Sequence, residues 1–456
     1  MISKELQLAF NGLVRLIQTL VSEHKSNVAT QPFMMLVKKS RVRKHTATDM
    51  GISVTEWETG VEQKQDLGRA AFGLLDSVAA SSEFQRCNEI IRNEGIANVD
   101  EMLKSAVIKM LNMTFDGEAL DSASLLDYFL KSIRHKPVPA WCDIETFGLF
   151  VRGSANLTMS LGSSRYTFRQ LEIADFEQES QLLAMNEPGI ESQRPNSMLR
   201  IELDTWRPHE LDMEAQRALI ILRLFNVCGV KFGRQTFATK SPFAMIFGAV
   251  LRNERSYFVG NQSILALENF DAFQKFSAAL SSRFPSELLP SIEGGPRNIT
   301  PITIAYERYC DSLSSLQSFE RKIAFAVMGL EAIYLQELQE LMYRLQLRVA
   351  KVMVNLGFEA EKIRPLISAG YLIRNKYVHG AHLDGKAIKK LEKDGHTLEG
   401  IALGILNCLR ISILHLIVSG QSKDDFLALI DLSLIDRSKD DTLNAMLSAE
   451  RAALNP

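Results

Sequence analysis

Apolar positions near the start of the chain recur every three or four residues. Phe10, Leu13, Val14, Ile17, Leu20 and Val21 fall on one helix face, and Leu67, Ala71, Leu74, Leu75 and Val78 fall on another. This spacing predicts a mainly helical N-terminal region over residues 1–140. Pro137 and Pro139 punctuate the chain before Trp141 and mark a boundary. The pattern then changes to alternation. Leu157, Met159 and Leu161 alternate with polar residues, Tyr166 and Phe168 flank Thr167, and Leu199, Ile201 and Leu203 flank Arg200 and Glu202. Residues 145–235 therefore read as β-containing, a small sheet or sandwich. They sit within a mixed region, 141–295, that has helical stretches around Pro242–Val250 and Phe270–Leu280. Gly294, Gly295 and Pro296 read as a turn or hinge.

Everything after that hinge carries helical periodicity. Five helices are expected, over Ile304–Leu316, Phe319–Gln336, Glu340–Leu356, Ile363–His379 and Lys386–Val418, with Asp384 and Gly385 breaking the chain before the last. The expected fold class is mainly α. A C-terminal helical bundle over 296–456, ending in a tail, follows a helical N-terminal region and a β-containing middle domain. At roughly 100–200 residues per domain, two to four domains fit this length.

Composition narrows the function classes. Net charge is −2, so no global basic field draws the chain to nucleic acid, and RNA contact must come from local patches. One such run is KKSRVRKH, residues 38–45, which reads either as a solvated loop or as a phosphate-contacting patch. Cys87, Cys142, Cys228, Cys310 and Cys408 are odd in number, widely spread and without a CxxC pair. A disulfide framework and a structural zinc site are disfavoured, and a reducing cytoplasm fits. Leu6 to Val21 is interrupted by Gln7, Asn11, Arg15 and Gln18, which suits an amphipathic helix rather than a signal peptide. The longest apolar run, Ile401 to Val418, contains Asn407, Arg410 and His415. It reads as a buried bundle helix, greasy enough to serve a subunit interface as well. The chain has no P-loop, no GxGxxG opening a helix, no HExxH and no serine elbow. ATP hydrolysis, dinucleotide redox chemistry and zinc-protease chemistry are disfavoured.

The chemistry-bearing segment is Tyr371–Gly380, YLIRNKYVHG, in which Arg374 and His379 are separated by four residues. Alone, such a pair also reads as a structural capping pair. It is flanked here by FAVMGLEAIYLQ (Phe325–Gln336), YRLQLRVAKVMV (Tyr343–Val354) and AYERYCDSL (Ala305–Leu313). Together these segments resemble, in order and spacing, the ApeA-like group of the HEPN superfamily. The resemblance covers roughly residues 300–420, and it says nothing of residues 1–290. It implies a HEPN-type helical nuclease domain that cleaves RNA without metal or cofactor, works as a homodimer, and acts as a toxin or antiphage-defence effector. The N-terminal and middle regions would then sense a trigger or select the RNA. A non-catalytic HEPN dimerisation or RNA-binding module stands as the alternative, as does the toxin of a toxin–antitoxin pair.

Helix geometry bears on this motif independently. Positions five apart point about 140° away from each other, so Arg374 and His379 do not share a face of one straight helix, whereas Asn375 and His379 do. A left-handed cap at Gly380, the reach of arginine, or a second copy of the motif supplied by dimerisation would each bring the groups together. RNA carries its own nucleophile, the 2′-OH. An imidazole at a helix C-terminus suits proton donation to the leaving 5′-oxygen, and a guanidinium offers a fixed fork of donors to phosphate. His379 is therefore the candidate general acid and Arg374 the candidate phosphate clamp, with Asn375 orienting the imidazole or holding the phosphate. Lys376, Tyr377, His382 and Lys386 are candidate RNA contacts, although Tyr377 suits packing and His382 an exposed turn.

Between Glu361 and His396 stand eight basic residues (Lys362, Arg364, Arg374, Lys376, Lys386, Lys389, Lys390, Lys393) and four acidic ones (Glu361, Asp384, Glu392, Asp394). That excess is either a phosphate-facing patch or, over Lys386–Lys393, the wet face of a helix. Glu331, inside GLEAIY, is expected to form a buried salt bridge, to Arg344 or Arg348, or else to hold Arg374. His415 is expected to be a satisfied core histidine.

Overall fold

The computed structural model describes residues 3–24, 32–43, 54–65, 67–152, 156–171, 195, 197–243, 249–251, 263–289, 298–314, 318–336, 339–381, 383, 391, 395 and 397–454. The chain is mainly helical, with a small antiparallel sheet in its middle.

The amphipathic stripes of the N-terminal region form helices α1 (Lys4–His24), α2 (Leu67–Ala79), α3 (Ser82–Asn93), α4 (Val99–Phe115) and α5 (Ser122–Ile133). Leu6, Phe10, Leu13 and Ile17 of α1 are fully buried, against Phe84, Leu103, Val107, Leu126 and others from the neighbouring helices. Ser81 and Asp121 start α3 and α5 by accepting from the backbone N–H groups of Phe84 and Ala123. This region is not helical throughout. Strands β1 (Pro32–Arg43) and β2 (Val54–Gln65) form an antiparallel pair, in register from Pro32↔Gln65 to Arg43↔Val54. The basic run therefore lies on a strand as far as Arg43 rather than in a loop, and Lys44 and His45 lie outside the described residues.

The middle of the chain supplies β3 (Val138–Phe147), β4 (Leu149–Arg152), β5 (Leu157–Leu161), β6 (Ser164–Gln170), β7 (Ser197–Thr205), α6 (Pro208–Phe225), β8 (Lys231–Thr239), β9 (Ala249–Leu251), β10 (Ser263–Ala266) and α7 (Leu267–Ser281). Six strands form one antiparallel sheet in the order β5-β6-β7-β3-β8-β9, and β4 pairs with β10 in parallel. The alternation works as expected. Cys142, Ile201, Tyr166 and Phe237 stand opposite one another across four strands and are buried on one face, which α6 and α7 contribute to covering. Phe270 and Phe273 of α7 meet Phe168 edge-on, with centroids 6.2 and 5.7 Å apart. Pro139 proves to lie inside β3 and not in a linker; its carbonyl still accepts from the Lys240 N–H at 3.1 Å. Phe270–Leu280 lies in α7, but Ala249 and Val250 belong to a strand and not to the expected helix, and residues 244–248 lie outside the described residues.

The C-terminal third forms α8 (Pro301–Ser314), α9 (Phe319–Tyr334), α10 (Leu341–Asn355), α11 (Ala360–Val378), α12 (Leu398–Ser419), α13 (Lys423–Ser433) and α14 (Arg437–Leu454). Gly294, Gly295 and Pro296 lie outside the described residues. The first four helices fall where periodicity puts them. The fifth is described from Leu398, and Lys386, its expected start, lies outside the described residues. Gly395 turns the chain with φ +79°, and Thr397 caps α12 by accepting from the Gly400 N–H at 3.0 Å. The stretch after Val418 is no loose tail either. Phe426 packs beside Tyr334 and His415, Asp431 pairs with Arg348, and Leu443 and Leu447 are fully buried.

Among the described residues α12 alone is long and apolar enough to cross a membrane on length and composition, and most of it is buried within the protein. It crosses α11 closely. A β-carbon on Gly370 would stand 1.9 Å from Ile405 Cδ1, so any larger residue would force the Ile405 side chain to move. The cores of the sheet and of the C-terminal helices are continuous, while the N-terminal helices bury a separate core that takes in Phe243. Arg410 of α12 donates to the Leu224 and Phe225 carbonyls at the end of α6, fixing the bundle to the sheet layer.

Candidate active site on helices α9 and α11

Helix α9 starts at Ser318, whose Oγ accepts from the Arg321 N–H at 3.3 Å. It buries Ile323, Val327, Leu330 and Tyr334 at three- and four-residue spacing. That register turns Glu331 toward α11, where Ile363, Ile367, Gly370 and Tyr371 form the buried face and Arg374 follows one turn later. The Arg374 Nη2 donates to Glu331 Oε2 at 2.7 Å, with the side chains 21% and 15% exposed. The guanidinium also lies 5.7 Å from the centre of the buried Tyr371 ring. Glu331 therefore takes Arg374 as its partner and not Arg344 or Arg348. Arg348 instead donates to Asp431 and to the Tyr334 carbonyl, and Arg344 lies 3.9 Å from Glu340.

Burial raises the Glu331 carboxyl above its ordinary value, and the Arg374 charge and hydrogen bond oppose that rise. Burial likewise raises the Tyr371 phenol, helped by Glu331 and opposed by Arg374. Two buried polar atoms of the pair, Glu331 Oε1 and Arg374 Nε, have no hydrogen-bond partner among the described residues.

Arg374 Nη1 also donates to Asn375 Oδ1 at 3.1 Å. A guanidinium can only donate, so the amide must present its oxygen to it. The Asn375 NH₂, with two donors, is thereby directed away from Arg374. His379 ends the helix. Its N–H donates to the Asn375 carbonyl at 3.1 Å, Gly380 N–H to the Tyr377 carbonyl at 3.1 Å, and Ala381 N–H to the Lys376 carbonyl at 2.8 Å. These bonds make a Schellman motif with Gly380 in the left-handed region at φ +71°, the cap that the sequence allows for. His379 is solvent-exposed, one turn beyond Asn375.

The remaining candidates divide. Lys376 is half-buried, and Tyr377 is 38% exposed with its ring 6.5 Å from Phe325, edge-on. Tyr377 therefore packs by one edge and keeps part of its surface open. His382 and Lys386 lie outside the described residues, as do Lys389, Lys390 and Lys393. Lys362 pairs with Glu359 at 2.8 Å, whereas Arg364 is exposed. His415 is buried. Its Nδ1 binds Glu450 Oε2, and its Nε2 has no partner among the described residues, so the core histidine is half satisfied there.

Sequence reasoning missed Glu320, whose Oε1 accepts from the Leu383 N–H at 3.1 Å and so ties Leu383, just beyond the Gly380 cap, to α9. No sequence signal pointed to it. Tyr371 was legible, standing one turn before Arg374 on the same helix. Among the described residues no group of three His, Cys, Asp or Glu side chains is arranged to hold a metal ion. No family model matches the chain, and comparison with curated proteins and with solved structures likewise gives no match.

Proposed function

We propose that α8 to α12 form a HEPN-type bundle and that the chain is an endoribonuclease that cleaves without a metal. Its phosphate site consists of Asn375, His379 and Arg374. The observation that supports the reading is the hydrogen-bonded chain Glu331–Arg374–Asn375 one turn before the exposed His379 at the helix cap. A buried carboxylate fixes the guanidinium, the guanidinium fixes the amide, and the amide shares a helix face with an exposed imidazole at a rigid cap. A purely structural capping pair needs neither the inward anchor nor the exposed histidine.

The residues divide the work as follows. The Asn375 NH₂ and the remaining N–H groups of Arg374 donate to the non-bridging phosphate oxygens, where negative charge grows in the transition state. His379 gives its proton to the 5′-oxygen as the P–O5′ bond breaks. The 2′-oxygen forms the new bond to phosphorus and loses its proton to a base. A second copy of the motif, brought in by a homodimer, supplies that base. The products are a 2′,3′-cyclic phosphate and a 5′-OH. Glu331 touches no substrate and holds Arg374 in place.

The partner is RNA, and the setting is cytoplasmic, as a toxin or antiphage-defence effector checked by an antitoxin or released by a trigger. This part rests on the resemblance of the motif and its flanking helices. The test is cleavage of single-stranded RNA in EDTA by the wild type against His379→Ala and Arg374→Ala.

A further inference from the structure

A second chemistry-bearing cluster lies at one end of the sheet, apart from the α11 motif in the chain. Trp206 directly follows β7 and is 39% exposed, although most large apolar side chains here are buried. The Arg207 guanidinium lies over its ring, with Cζ 4.4 Å from the centroid. The imidazole of His135 stands 4.7 Å from the same ring at 50°. Three flat side chains are thus gathered at the surface, and all three are exposed.

Sheet topology brings cations to the same place. Val138, the first residue of β3, pairs with Thr205, the last of β7. The Pro139 carbonyl accepts from Lys240, just beyond β8, at 3.1 Å. Lys136, Arg207 and Lys240 therefore leave neighbouring strand ends. Each is exposed, and none pairs with a carboxylate among the described residues. Of the nearby acids, Asp127 pairs with Lys131, Glu94 pairs with Arg134, and Glu210 accepts from the Thr205 hydroxyl. The exposed Asp204 stands against the three free cations.

The backbone adds an independent sign. His135 has φ +50°, in the left-handed region, at the position that ends α5 in a Schellman motif. The equivalent positions after α3, α4, α10 and α11 are Gly95, Gly117, Gly357 and Gly380. A β-carbon here carries strain that glycine avoids. Of the three described non-glycine residues at positive φ, Asn98, His135 and Glu340, His135 is the one whose ring meets Trp206, and such outliers gather at ligand sites.

We propose that His135, Trp206 and Arg207, with Lys136 and Lys240, form a docking site for unpaired bases of single-stranded RNA. The bases stack on the indole, imidazole and guanidinium planes, and the phosphates lie on the two lysines. A duplex keeps its bases stacked inside and presents no free face to this platform. The proposal rests on the ribonuclease reading for the identity of its ligand, and it places part of substrate selection on the sheet.

The test uses the full chain carrying His379→Ala, a fluorescein-labelled single-stranded oligouridine and EDTA, with affinity read by anisotropy at several salt concentrations. Trp206→Ala should weaken binding about 5- to 100-fold, and Trp206→Phe should stay within about threefold of its parent. Replacing Lys136 and Lys240 by Gln should flatten the log–log salt slope by about 1.4. A competing RNA duplex should displace the probe at least about tenfold less well than the unlabelled single strand. Unchanged affinity in Trp206→Ala, a duplex that competes equally, or a parent that binds no single strand each overturns the site. Circular dichroism and thermal melting identify a misfolded Trp206→Ala, and Trp206→Phe together with the lysine pair then decides. Wild-type cleavage that persists while Trp206→Ala binds normally removes the docking site and leaves the nuclease. Trp206-dependent binding without any cleavage does the reverse.

Discussion

Arg374 and Glu331 face each other across α11 and α9, with Nη2 and Oε2 2.7 Å apart and both side chains largely buried. The same guanidinium holds the Asn375 oxygen, so one buried carboxylate sets the geometry of both groups. Glu331→Gln and Arg374→Ala should therefore each lower RNA cleavage, and the double variant should be little worse than Arg374→Ala. A double-mutant cycle on kcat/KM should give a coupling of about 1–3 kcal/mol. Additive losses would show that Glu331 acts elsewhere.

The buried carboxyl also leaves a mark on stability. Its folded-state pKa is raised, so between its ordinary value and the raised one the folded chain holds more proton than the unfolded chain. Stability is then lost as pH rises through that interval. Urea unfolding followed upward in pH from the ordinary carboxylate range should show the wild type losing ground to Glu331→Gln as pH rises. A wild type that gains on Glu331→Gln over that range would reverse the sign and refute the assignment.

The cap of α11 is testable through its glycine. Gly380 has φ +71°, and a β-carbon there would meet nothing within 4 Å, so Gly380→Ala acts through backbone strain alone. Gly117, at φ +81° after α4, is equally open and serves as the control. Each alanine should cost about 1 kcal/mol by thermal or urea unfolding. Cleavage should fall about tenfold or more in Gly380→Ala alone, because only there does the strain move His379.

Much of this fold is legible in the sequence, for a physical reason. The sheet buries one face, so Leu157, Met159 and Leu161 or Leu199 and Ile201 alternate visibly, and α9 and α11 show their stripes. Strand β3 is harder to read because Ile144, Glu145 and Thr146 are buried in succession beside a break in register with β8. The β1–β2 pair was missed because a basic run resembles a solvated loop as much as a strand. At the site, the motif and the Gly380 cap were readable because both are local. The partner of Glu331 was not. Periodicity states which face is buried but not which of three arginines meets it. Arg348 is claimed by Asp431 from α13, a helix the pattern did not resolve.

Association of two copies should be visible on α11 and α12. Leu372, Val378 and Leu403 are exposed at 48%, 46% and 46%, and Leu372 shares the face of Asn375 and His379. Sedimentation velocity should give a dimer for the wild type and a monomer for Leu372→Glu, with cleavage falling in step and melting temperature nearly unchanged. A wild type that cleaves fully as a monomer would exclude the two-copy site.

The most direct test is cleavage of end-labelled tRNA and of a generic single-stranded RNA in EDTA by the wild type, His379→Ala and Arg374→Ala. Cleavage by the wild type alone, leaving 2′,3′-cyclic phosphate and 5′-OH ends, is the expected result. Equal cleavage by all three proteins, or cleavage only when a divalent metal is restored, would contradict the assignment of the reaction to His379 and Arg374.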